Sequence, residues 1–94
     1  MAGFSRRAKA DISEIWQYTV DHWGADQASL YLELLDAAID EIDRNPKVGR
    51  PCNEIRHGYR KHLIGSHVVF YRMKDREVFV VRVLHQRMDS GRHF

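Results

Sequence analysis

One cysteine, two prolines and six glycines in 94 residues leave this sequence little to work with, and each scarcity closes a route. A lone thiol, Cys52, cannot form an internal disulfide, so packing alone must hold the fold, as in a reducing compartment. Nothing nearby in the sequence gives Cys52 a base, so it does not read as a nucleophile. The glycines are scattered and none opens a helix from a Gly-rich loop, which argues against nucleotide hydrolysis. No uncharged stretch reaches the length of a membrane span, and MAGFSRRAKADI contains no apolar signal core, so the chain is expected in the cytoplasm with no membrane association. Low-complexity segments and internal repeats are absent as well.

What is present fits one globular domain over residues 1–94, with 44% hydrophobic and 30% charged residues. The net charge is only +2, but it is unevenly spread: residues 1–46 hold four Lys or Arg against nine Asp or Glu, and residues 47–94 hold eleven against four. Five of the six histidines also lie in the second half. A basic surface built by that half would suit an anionic partner such as RNA, DNA or an acidic protein segment; acidic solvent sides on the helices would give the same split.

Ser5 is a fitting N-cap, and Ala8, Ile12, Ile15, Trp16, Thr19 and Trp23 recur at three- and four-residue spacings, which predicts a helix from about Arg6 to His22. Gly24 supplies a left-handed stop and Asp26 can cap a second helix. In that helix Ala28, Tyr31, Leu35, Ala38 and Ile42 form one apolar stripe, with Leu30, Leu34 and Ala37 as another beside it. Asn45-Pro46 ends it near Arg44. Trp16, Trp23 and Tyr31, sitting at helical spacing, are expected in the core.

YRKHLI, SHVVFYRM and EVFVVRVLH read as three antiparallel strands in a meander, joined at Gly65-Ser66 and Asp75-Arg76. If both turns have two residues, Ile64 faces His67, Arg60 faces Tyr71 and Val69 faces Arg82. One face of the sheet then carries Tyr59, Leu63, Val68, Phe70, Phe79, Val81 and Val83 to receive the helices. The other, open face carries Arg60, His62, His67, Tyr71 and Arg82.

The histidines show no recognised ligand spacing and a single cysteine cannot complete a thiolate site, so neither a metal nor another cofactor is expected. The open face does hold groups suited to metal-free RNA cleavage: a base, an acid, and cations for the phosphorane charge, drawn from Arg60, His62, His67, Tyr71, Arg82 and Arg87. A solvated sheet face on a basic domain would look the same. The segment VVRVLHQRMD, residues 80–89, reads as the last strand with a basic exit, and His85 points towards the helices.

Five segments, SRRAKADISEIWQYT, WGADQASLYLELL, NPKVGRP, GYRKHLIGSHVVFYR and VRVLHQRMD, cover nearly the whole chain. Their order resembles the RelE/ParE toxin superfamily, and more closely its ParE-like branch. The resemblance implies an α+β fold: a short N-terminal strand and an α-helical hairpin packed on a three- to four-stranded, mainly antiparallel sheet. It also implies the toxin of a type II toxin-antitoxin system, in a hetero-oligomer with a cognate ParD-like antitoxin.

ParE-like members generally act on DNA gyrase, whereas RelE-like members cut mRNA in the ribosome and tend to have shorter helices and a tyrosine or histidine near the C-terminus. Both helices here are long and the last tyrosine is Tyr71, although the tail SGRHF offers His93. Gyrase inhibition without a catalytic set is therefore the first expectation, with Arg60, Arg82 and Arg87 as target contacts. Leu30, Leu34 and Ala37 are the expected antitoxin contacts. The alternative is a ribosome-dependent endoribonuclease using Arg60, His62, His67, Arg82 and Arg87. A plain nucleic-acid-binding module ranks third, because both helices are acidic and no aromatics are set for stacking.

Overall fold

The computed structural model describes all residues from 1 to 94. A strand β1 (Gly3–Phe4) leads into helices α1 (Arg6–Trp23) and α2 (Ala25–Arg44). Strands β2 (Arg50–Pro51), β3 (Arg60–Ile64), β4 (His67–Lys74) and β5 (Glu77–His85) follow, and a short 3-10 helix spans Ser90–His93. The sheet order is β1-β5-β4-β3-β2. β1 runs parallel to β5 and every other pairing is antiparallel. The expected α+β architecture is present, with β2 as a fifth, two-residue strand.

The helices start and stop where local chemistry requires. The Ser5 hydroxyl accepts from the Ala8 N–H and caps α1. Gly24, at φ 91°, is at once the end of α1 and the start of α2: its N–H donates to the Val20 carbonyl, and its own carbonyl accepts from Ala28. A backbone turned that way favours glycine, which lets the hairpin reverse in a single residue. Asp26 lies in the first turn of α2 but makes no capping bond. No helix is long and apolar enough to cross a membrane.

Both hairpin turns fall as expected, with Ile64 opposite His67 and Lys74 opposite Glu77. Asp75 and Arg76 take φ of 52° and 68°, a twisted two-residue turn that suits antiparallel strands. From Glu77 the register runs as anticipated to Val80 opposite Tyr71. There a bulge inserts Val81, so that Phe70 faces Arg82 and Val69 faces Val83. Without the bulge Arg82 would oppose Val69 and point under the helices. With it, Val83 takes the core position and the guanidinium leaves at the strand edge.

The helices lie on the sheet face opposite to the expected one. Ile64, Val69, Tyr71, Val78, Val80 and Val83 pack with Ala8, Ile15, Leu35, Ala38, Ile39 and Ile42 in the main core. Arg60, His62, His67 and Tyr71 do share a face, but it is the helix-bearing one, where Tyr71 is fully buried. The other face has a small core of its own: Cys52, Phe70 and Leu84 are buried beneath Ile55, Tyr59 and Phe94. Because the 52–59 loop and the tail cover part of that face, both faces of the strands are apolar, and alternation alone could not say which one the helices take.

Trp16 and Trp23 are 38% and 71% exposed, so they are not core residues. The buried stripe of α1 instead runs Ala8, Asp11, Ile15, Thr19. Tyr31 is partly buried against the core, as its spacing implied.

Candidate functional site

Asp11, a carboxylate on the buried stripe of α1, is 7% exposed and nonetheless fully engaged. It accepts from Arg82 Nε at 2.8 Å, from a terminal guanidinium nitrogen of Arg82 at 2.9 Å, and from the Val83 backbone N–H at 2.9 Å. β1 pairs β5 only at Phe79 and Val80, so Asp11 closes the sheet edge just beyond the point where β1 ends. The other terminal nitrogen of Arg82 donates to the His93 carbonyl at 3.0 Å, which fixes the tail. The bonds to Asp11 push the already high pKa of Arg82 higher still. The signal for this pair was present in the sequence: a lone acid at the i+3 position of an apolar helix stripe, and a lone cation inside VVRVL.

Beyond Asp11 a groove of ≈ 770 Å³ runs between α1, the start of α2 and the end of β5, lined among others by Tyr18, Trp23, Tyr31, His67, His85 and Met88. Its floor is a polar relay. The Tyr31 hydroxyl lies 2.6 Å from His67 Nδ1, accepts from the Ser66 N–H at 3.0 Å and stands 3.5 Å from the Ile64 carbonyl. His67 stands opposite His85 in the ladder, with ring centroids 5.3 Å apart. Burial, and then the neighbouring His85, lower the His67 pKa to about 4, against the weaker opposing pull of Asp11. His67 is therefore neutral near pH 7, with its Nδ1 hydrogen-bonded to the Tyr31 hydroxyl. Gly65, at φ 55°, allows this arrangement: a Cβ there would sit 2.9 Å from the Tyr31 ring and hydroxyl.

The expected catalytic residues do not converge. Arg60 donates to the Gly49 carbonyl at 2.7 Å and braces the loop after α2. His67 lies at the other end of the β3–β4 hairpin, inside the groove. His62 lies between them, opposite Val69 on the helix side. Arg82 is committed to Asp11, and Arg87 stands exposed past the end of β5. His93 contributes a backbone carbonyl to Arg82, while Phe94 beside it packs its ring on Phe70 and Tyr59. Of this set only His67 and Arg87 come near one another, at the end of β5, where the Arg87 N–H donates to His85 beside His67; Arg60, His62 and Arg82 stand apart.

The second stripe of α2 is open: Leu30 is 60% and Leu34 48% exposed, and Ala37 is exposed beside them. With Trp16, Tyr18 and Trp23 on α1, the hairpin presents five large side chains that the domain's own core does not use.

A family model described as the ParE toxin of the type II toxin-antitoxin system parDE matches residues 3–90. The chain is 53% identical over 90 residues to Toxin ParE1 of Mycobacterium tuberculosis, covering 95% of this chain and 92% of that one. To Toxin ParE1 of Caulobacter vibrioides it is 48% identical over 89 residues, with the same coverages. Its fold is similar to that of a chain described as "Chromosomal ParDE TA system from P. aeruginosa", with TM-score 0.78, 17% identity, and 89% and 92% of the two chains covered.

Two outcomes follow from this geometry. Arg82→Ala leaves the Asp11 carboxylate buried without its cation and lowers unfolding free energy by about 3 kcal/mol in urea denaturation, whereas Arg87→Ala changes it by no more than about 0.5 kcal/mol. The second outcome concerns pH. His67 binds a proton near pH 6.5 when unfolded and only near pH 4 when folded, so the unfolded state takes up the extra proton and stability falls as pH drops through that window. Between pH 8 and 5 the wild type loses about 1–2 kcal/mol more than His67→Gln, partial exposure trimming the full linkage value.

Proposed function

The chain belongs to the ParE toxin family, and on that premise we propose that it inhibits DNA gyrase in the cytoplasm and is silenced by a ParD-like antitoxin laid across its helical hairpin. The observation that carries the inhibitor reading is the scatter of its chemical groups. Phosphodiester cleavage needs a base, an acid and charge-stabilising cations around one phosphate. Here Arg60 braces a loop, Arg82 pairs with Asp11, and His67 is engaged with Tyr31. Arg87, exposed at the β5 exit, remains the target contact from the expected set; Arg82 acts by holding strand and tail in place, and Arg60 by bracing the loop after α2 at the other end of the hairpin. Binding traps an enzyme state and performs no reaction on it.

The antitoxin reading rests on the open stripe of α2. Leu30, Leu34 and Ala37 recur at three- and four-residue spacing and form an exposed apolar strip of the kind an amphipathic helix covers. The outer edge of β5 beyond Val83, where Asp11 no longer closes it, suits an extended segment of the same partner. Such a partner binds only the folded toxin, so it raises the melting temperature with its affinity and excess.

Purified toxin should block gyrase supercoiling and leave cleaved DNA complexes while mRNA in translating ribosomes stays intact, and Arg87→Ala should weaken that block without loss of stability. Codon-dependent mRNA cleavage with normal supercoiling would reverse the reading. For the partner, Leu34→Glu should give a folded protein that is still toxic but escapes neutralisation. A collapsed Leu34→Glu protein would mean that the stripe is core.

A further inference from the structure

The sheet face away from the helices holds a concentration of charge that neither the inhibitor reading nor the antitoxin reading uses. Ladder partners share a face, so Lys61, opposite Phe70, lies on the Phe70 side, and so do Arg72 and Lys74 two and four residues further along β4. The guanidinium of Arg72 and the ammonium of Lys74 stand 5.4 Å and 4.8 Å from the centroid of the Phe79 ring. Where this face meets the start of α1 there is a pocket of ≈ 350 Å³. Arg6, Arg7 and Arg56 line it together with Arg82, Tyr59 and Phe94, and no Asp or Glu side chain does. The chain makes three ion pairs, through Met1, Arg82 and Arg92, so of these cations only Arg82 is neutralised. Like charges held this close cost stability unless a counter-charge arrives.

We propose that this helix-free face binds the phosphate backbone of duplex DNA directly, with one phosphate seated among Arg6, Arg7 and Arg56. The chemistry selects that partner over others. A protein partner would need a desolvated apolar centre. Phe70 and Leu84 are covered by the 52–59 loop and the tail, and Phe79 by two cations, which leaves Leu63 alone exposed on this face, too little for such a centre. Single strands bind by stacking bases on free aromatic rings. Tyr59 and Phe94 are instead packed edge-to-face on each other with centroids 5.8 Å apart. Separate point charges spread over a pleated surface, without a stacking platform or a reading helix, match a sequence-independent phosphate array. The binding goes beyond gyrase recognition, because the toxin itself then holds the DNA.

The test is fluorescence anisotropy of a short labelled duplex with purified toxin, gyrase being absent, over a series of salt concentrations. Two duplexes of unrelated sequence should bind equally, and with three or more phosphates engaged log Kobs should fall with log salt at a slope of about −2.7 or steeper. The pair Lys61→Glu/Arg72→Glu should weaken binding about tenfold or more, whereas Lys9→Glu/Arg44→Glu, an equal charge change on the helices, should leave it within about twofold. Should the reversed pair fail to fold, Arg56→Gln and Arg72→Gln singly should each reduce the slope by about 0.9. Absence of binding at low salt, equal weakening by the helix pair, or preference for a single strand or polyglutamate over duplex would overturn the proposal. A toxin that inhibits supercoiling without binding duplex would overturn this inference alone, and one that binds duplex without inhibiting would overturn the gyrase reading alone.

Discussion

Asp11 and Arg82 form the contact on which the rest of the molecule is arranged. Hydrophobic burial holds the helical hairpin against the sheet but is non-directional, and it would tolerate a range of positions. The carboxylate on α1 meets one guanidinium and one backbone N–H of β5 at defined distances, which admits a single position. The same guanidinium reaches the His93 carbonyl, so helix, strand and tail are located by one group. A buried pair of this kind need not add net stability relative to apolar residues; what it contributes is specificity of arrangement. The bulge at Val81 makes the contact possible, by taking a charge out of the core and putting a valine in its place.

This arrangement sorts the surface by chemistry. The helical layer turns apolar and acidic groups outward, and the sheet layer turns out cations, so the uneven charge along the sequence becomes a difference between two faces. Partners of different character can then occupy the molecule without competing for the same side chains. The groove at the end of β5 lies between those regimes, with aromatic rings on its walls and a neutral histidine on its floor.

Much of the fold could be read from the chain because local rules suffice for it. The helix bounds, the reversal at Gly24 and both two-residue turns depend on neighbours in sequence, and they fall within a residue or so of expectation. The face of the sheet that receives the helices depends on what the 52–59 loop and the tail do, which strand periodicity does not contain. The bulge is equally non-local: it answers the conflict between a valine-rich core and Arg82. Trp16 and Trp23 misled because helical spacing fixes a stripe but not its outer limits, and the narrower stripe through Asp11 is the buried one. The four arginines of the second pocket come from positions 6, 7, 56 and 82, and no spacing rule could have gathered them.

The β1–β5 pairing joins residues 3 and 4 to 79 and 80, and the Asp11–Arg82 bond spans 71 positions. Contacts of such sequence separation cannot form while the chain is still emerging from a ribosome, since their second half has yet to be made. The early helices must wait, unanchored, for nearly the last strand. A growing chain thus lacks the competent shape until residues 79–83 have been made. That delay leaves an interval in which a partner already present can meet the toxin as it closes.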